Sequence, residues 1–193
     1  MTSFPERMMG AAKLDVGIYE EVEADGTATR QAMGVVLMSS VAAGIGSLSL
    51  GTGVIAGAVA ALLSWVIWAF LTYLIGTRLL PEPQTQADMG QMMRTLGFAQ
   101  SPGVLRLFGG IPGIGPLVLG IVSVWMLVAM VIAVRQALDY TTTWRAVVVC
   151  VVAWLAVIIP AVLLLGPMGA PADGDGLAAR GIEFNPDPGG TRV

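Results

Sequence analysis

Residues 31–77 run for 47 positions without an Asp, Glu, Lys, Arg or His. As one α-helix that run would be about 70 Å long, more than twice the thickness of a bilayer core of about 30 Å. It must therefore fold back on itself, and Gly51-Thr52-Gly53 supplies the turn. The two halves, 31–50 and 53–77, are each long enough to cross. The sequence thus predicts an all-α protein, a polytopic transmembrane helical bundle whose first two spans form a tight hairpin.

Composition agrees. Apolar residues make up 55% of the chain and charged residues 12%, about half the charge of an ordinary soluble domain. Two further stretches, 107–134 and 146–172, are also free of charge, so the charges lie in short intervals between apolar blocks. The ten basic residues are scattered and the net charge is −3, which offers no phosphate-binding track and argues against nucleic acid. A single Cys150 excludes an internal disulfide framework and a cysteine metal cage, and its apolar setting reads as a small buried hydrophobe. The first thirty residues are polar and acidic, unlike a secretory signal, so insertion is expected to begin with a retained first span.

Three regions follow. Residues 1–26 are expected to be a cytoplasmic or interfacial amphipathic helical segment. Phe4, Met8, Ala11, Leu14, Ile18 and Val22 form its apolar stripe, with a break near Gly17. Docking at the interface or on a partner, and packing on the chain's own loops, are equal readings. Residues 27–166 are the membrane domain, with spans at about 31–50, 53–77, 99–113, 115–138 and 144–166. Gly44 and Gly46 on the first span, and the Gly53, Gly57, Ala61 ridge on the second, suit close helix packing. Between the second and third spans lies a short amphipathic helix, 88–98. Its Met89, Met92 and Met93 with Phe98 form either an adaptable partner-contact face or ordinary packing onto the membrane domain. The third span is short and broken by Pro and Gly. In the fourth, Arg135 and Asp139 stand four apart, able to pair on one helix face. Residues 167–193, rich in Gly, Pro and acids, read as a disordered tail.

Charge asymmetry orients the bundle. Arg7, Lys13 and Arg30 place the N-terminus in the cytoplasm. Were 99–113 a re-entrant segment, Arg135 and Arg145 would fall outside; if it crosses, both lie inside. The expectation is therefore five spans in the cell inner membrane, the C-terminal tail extracytoplasmic.

The order of these features resembles the Yip1 domain family in its bacterial form, over roughly residues 15–165. The likeness rests on a polar leading helix, the uncharged hairpin, and Arg94-Thr-Leu-Gly-Phe-Ala-Gln-Ser-Pro102. Then come Ile111-Pro-Gly-Ile-Gly, Trp125 within a span, and Thr143-Trp-Arg-Ala146 opening the last span. The resemblance implies five spans and a cytoplasmic N-terminus. Its eukaryotic relatives are similar to vesicle-trafficking factors that engage small prenylated GTPases and shape membranes, and their long cytoplasmic N-terminal regions are not among the features this sequence shares with them. For bacterial members it implies a fold and a membrane address.

The chemistry points away from an enzyme. The chain has no histidine, the commonest general base and metal ligand. It has no Gly-x-Ser-x-Gly elbow and no phosphate-binding loop, so no catalytic residue, cofactor or metal is expected. Glu20, Glu21, Glu23 and Asp25 could attract a divalent cation, but solvated charge is the simpler reading. The expected function is a non-enzymatic accessory, scaffolding or membrane-organising component. Its partners would be the lipid bilayer and other membrane subunits or itself. The alternative is a small-molecule or ion transporter using the broken third span. There Arg106, with Arg135 and Asp139, would form an intramembrane polar site, unless Arg106 snorkels or pairs with Asp139.

Overall fold

A computed structural model describes residues 2–46 and 54–169. The turn at Gly51-Thr52-Gly53 and residues 170–193 of the tail lie outside the described residues. The regular elements of the described chain are all helical: α1 (Phe4–Ala12), α2 (Val16–Ala24), α3 (Ala28–Gly46), α4 (Val54–Leu74), α5 (Met89–Phe98), α6 (Gly115–Ala137) and α7 (Thr143–Gly169). A π-helical turn, Ile75–Leu79, extends α4, and a 3-10 helix, Ser101–Gly110, follows α5. Residues through Ala156 form one compact unit, and those from Val157 form a second.

Local signals explain the boundaries. Ser3 and Glu6 make a capping box at α1, with Pro5 in the first turn. Asp15 caps α2 through the Gly17 N–H, so the break falls at residues 13–15, where Leu14 has φ +64°, and not at Gly17. Before α3, the Asp25 carboxylate accepts from both the N–H and hydroxyl of Thr27. Asp88 and Gln91 form a second capping box on α5.

Among the described residues, three helices are long and apolar enough to cross a bilayer, within Val59–Leu79, Gly115–Ala137 and Thr143–Pro160. Only 28%, 22% and 22% of their apolar windows is buried inside the chain, so most of each outer face needs a nonpolar surrounding. Two expected spans are not among the three. α3 carries Arg30 and Gln31 in its first turns, and the 3-10 helix has ten residues, about 20 Å.

The short segment does not stand alone. Ala32 of α3 lies against Gly97 of α5, Ser39 against Gly103, and Gly46 against the Arg106 carbonyl. α3 and the α5/3-10 track therefore run parallel and in register. Together the two pieces of that track measure about 35 Å. α6 runs the other way, with Leu119 beside Gly109 and Met126 beside Gly103. Pro102 supplies no N–H, and the tighter 3-10 coil with glycines on both sides brings two backbones close.

The N-terminal pair packs on this bundle. Trp125 of α6 donates its Nε1–H to the Ala12 carbonyl at 2.8 Å, Phe4 meets Phe98 edge-on at 6.4 Å, and Tyr19 and Val22 are fully buried. The apolar stripe of this segment thus packs on the chain itself.

Candidate functional site

Two features stand out within the first unit: a layer of charge at one end of the bundle, and a cavity inside it.

The charged layer is built from helix ends. Arg7, only 2% exposed, reaches Glu21 and Asp25, each at 2.8 Å, and donates to the Gln31 side chain of α3 at 3.1 Å. Thr2 donates to the same Glu21 carboxylate. Arg94 of α5 bonds the carbonyls of Val22 and Glu23 at the end of α2, and Gln136 of α6 donates to Glu20. Glu82, a buried residue of the link from α4 to α5, pairs with Arg145 at 3.1 Å and accepts from the Thr141 N–H and hydroxyl. The Tyr140 hydroxyl contacts the Gly76 and Leu80 carbonyls around the π turn. The starts of α3, α5 and α7 and the ends of α4 and α6 thus meet in one layer. The acidic group of α2 is dispersed by these contacts: Glu21 and Asp25 go to Arg7, and Glu20 to α6.

The layer tunes its carboxylates in opposite directions. Hydrogen bonds from Thr2, then from Arg7, lower Glu21 to about 2; bonds from Thr27, then Arg7, lower Asp25 to about 2. Burial, reinforced by the Asp139 carboxylate and partly offset by Arg94, raises Glu23 to about 7. Glu21 and Asp25 therefore stabilise the fold above their ordinary values of 4.5 and 3.8, and that contribution is lost as pH falls toward 2. Glu23 has the opposite sign: its contribution is complete below 4.5 and disappears as pH rises through 7. Stability in detergent should peak between these limits. In a thermal melt series across pH, Glu23→Gln should flatten the descending limb near neutrality. An unchanged limb would remove Glu23 as its source.

The cavity, about 530 Å³, lies between α3, α4, the α5/3-10 track and α6. Its wall is mostly apolar, with Val36, Ala61, Leu96, Ala99, Met126 and Met130 among the lining residues. Ser39, Ser64, Gln100 and Arg106 add polar groups, and none of their side chains has a hydrogen-bond or ionic partner among the described residues. Trp68 belongs to the same wall, and its Nε1–H is buried without an acceptor among the described residues.

A model of the Yip1 domain matches residues 23–164. The chain belongs to the Yip1 domain family. No curated protein and no solved structure matches it. Membership, with three bilayer-length apolar helices, makes this a membrane protein, and the matched region contains both the cavity and most of the charged layer.

The residues singled out from sequence fall unevenly within the Yip1 domain. Arg106 lines the cavity, while Arg135 and Asp139 sit at the charged layer, so the three do not form one polar site. The Arg135–Asp139 pair is not made. α6 ends at Ala137, Asp139 turns to φ +52°, and Arg135 instead bonds the Tyr140 carbonyl at 3.3 Å. Met92 and Phe98 are fully buried, and Met89 and Met93 pack against the core. Within the chain, that face packs on the protein's own core. Trp65 confirms the direction by donating to the Met93 carbonyl at 3.1 Å. Gly46 touches the 3-10 helix, Gly44 is half-buried, and Ala61 lines the cavity. Gly53 lies outside the described residues, as do the surroundings of Gly57. Sequence reasoning missed Trp68, Gln100 and the serines of the cavity, whose positions on four elements leave no local pattern.

Proposed function

We propose that this Yip1-domain protein is a non-enzymatic integral membrane protein of a bacterial inner membrane, crossing five times with a cytoplasmic N-terminus and an extracytoplasmic tail. It would serve as an accessory or scaffolding component that binds other membrane proteins. The observation that carries this reading is the segregation of charge. Every ion pair among the described residues lies in one end layer, while the sides of the bundle expose Leu63, Ile67 and Phe70 on α4 and Leu117, Ile121 and Val124 on α6. Such faces suit lipid or the apolar face of another subunit. The third crossing is supported by the parallel register of α3 and the α5/3-10 track, which carries the chain away from the charged layer between α4 and α6.

Topology is testable by labelling. In a Cys150→Ser background, Asp88→Cys and Ile111→Cys variants are exposed to a membrane-impermeant maleimide in intact spheroplasts. Ile111→Cys should react at once, and Asp88→Cys only after permeabilisation. Reaction of both from one side removes the third crossing. Mild-detergent purification with mass spectrometry of co-purifying chains tests the scaffolding role; a lone monomer that moves a solute across liposomes would defeat it. Transport is the second reading, favoured by the partly polar cavity and the unpaired Arg106.

A further inference from the structure

The cavity has a charge imbalance that an occupant would correct. Arg106 brings a permanent cation and only donors. No Asp or Glu is among the residues that line the space. Gln100, Ser39 and Ser64 add hydrogen-bonding groups with no protein partner among the described residues, and the wall holds the buried, unmatched Trp68 N–H. A group rich in acceptors and carrying negative charge suits this polar set. Hydrocarbon suits the remainder, where Leu127, Met126 and Met130 form the side contributed by α6.

Access points to the same class of ligand. Ser64 on α4, and Ser123 and Leu127 on α6, are lining residues that are also exposed at the surface. The cavity therefore opens sideways, between the two helices whose outer faces are apolar. A volume of about 530 Å³ lies within the range of small-molecule sites, about 300–1,000 Å³. It is too small for a whole phospholipid with two long chains, but it holds a head and the first part of the chains while the rest stays in the bilayer.

We propose that this cavity is a binding site for one anionic membrane lipid, its phosphate oxygens held by Arg106 and Gln100 and its chains leaving between α4 and α6. The inference rests on the bundle sitting in lipid, as proposed above, and adds a ligand to it. A free phosphate ion shares the head chemistry but has no use for the apolar wall or the lateral opening.

The test uses the full-length protein purified in mild detergent and followed by native mass spectrometry. Three probes are added separately: phosphatidylglycerol, phosphatidylcholine and inorganic phosphate. The expected result is one phosphatidylglycerol retained per protomer, with phosphatidylcholine weaker and phosphate unable to displace it. Arg106→Gln should weaken phosphatidylglycerol by about tenfold through loss of charge-assisted hydrogen bonds. Because that side chain has no partner among the described residues, the variant should keep its melting temperature. Ser123→Trp, at the exposed opening, should block the lipid without touching Arg106. Equal binding of the two lipids, undiminished binding to Arg106→Gln, or displacement by phosphate alone would each overturn the proposal. Alkaline carbonate washing of native membranes separates this from the underlying reading. A chain that washes off defeats membrane embedding, whereas one that stays and binds no phosphatidylglycerol defeats only the lipid site.

Discussion

Gly46→Ala should destabilise the protein by about 3 kcal/mol, against the usual gain from replacing a helical glycine. A Cβ at Gly46 would fall on the Arg106 carbonyl oxygen and crowd the Gly109 N–H. Both obstacles are backbone, so no rotamer change can make room. Either α3 moves away from the 3-10 helix or that helix deforms, and the register running from Ala32–Gly97 through Ser39–Gly103 is disturbed with it. Gly120, in the second turn of α6, is the internal control, because a Cβ there meets nothing within 4 Å. Gly120→Ala should be neutral or stabilising by up to about 1 kcal/mol. Thermal melts of the two variants in the same detergent should therefore move in opposite directions, or at least differ by several degrees. Gly46→Ala melting with the parent would show that α3 and the 3-10 helix are not in close backbone contact.

That contact marks the limit of what the sequence made legible. Long uncharged runs are visible because a bilayer imposes length and polarity on each residue separately, and α4, α6 and α7 follow from that constraint. The start of α5 was readable from the Asp88–Gln91 box, a local motif. The α5/3-10 track was not, because Pro102 and the surrounding glycines read as an interruption. Its continuity comes from contacts with α3, a helix some sixty residues earlier in the chain. The same reason explains the methionine face: periodicity shows that Met89, Met92 and Met93 share a side, not what covers it. Arg135 and Asp139 failed to pair because the helix stopped two residues early, at a left-handed position that Asp tolerates. The cavity was invisible for a related cause. Its polar groups are spread over α3, α4, the α5/3-10 track and α6, and only folding brings them around one space.

The binding site and the bundle depend on each other through this geometry. The lateral opening lies where α4 and α6 flank the α5/3-10 track, and the register of that track against α3 is set by small residues. Variants of Gly46 or Gly103 should therefore lose both stability and lipid retention. Arg106→Gln should lose retention alone. Comparing the two classes separates damage to the scaffold from loss of a ligand contact.

Arg7→Ala is the second large effect, expected at about 3 kcal/mol. Arg7 entered the sequence reading only as a topology signal, yet its guanidinium is nearly completely buried and joins α1, α2 and the first turn of α3. Its removal leaves Glu21 and Asp25 close together without their shared cation, and leaves the Gln31 amide oxygen without its donor. The cost comes mainly from those stranded carboxylates. Arg7→Ala combined with Glu21→Gln should therefore be milder than the single change, an ordering that a simple loss of packing would not produce. The local consequence is loosening of α1 and its link to α2, while α2 keeps its bonds to Arg94 and Gln136. Limited trypsin digestion reads this directly at Lys13, in the short link between α1 and α2. The parent should resist cleavage there and Arg7→Ala should be cut rapidly, with the double variant between them. Equal protection in all three would show that the N-terminal pair is held by its apolar face and that the buried ion cluster contributes little.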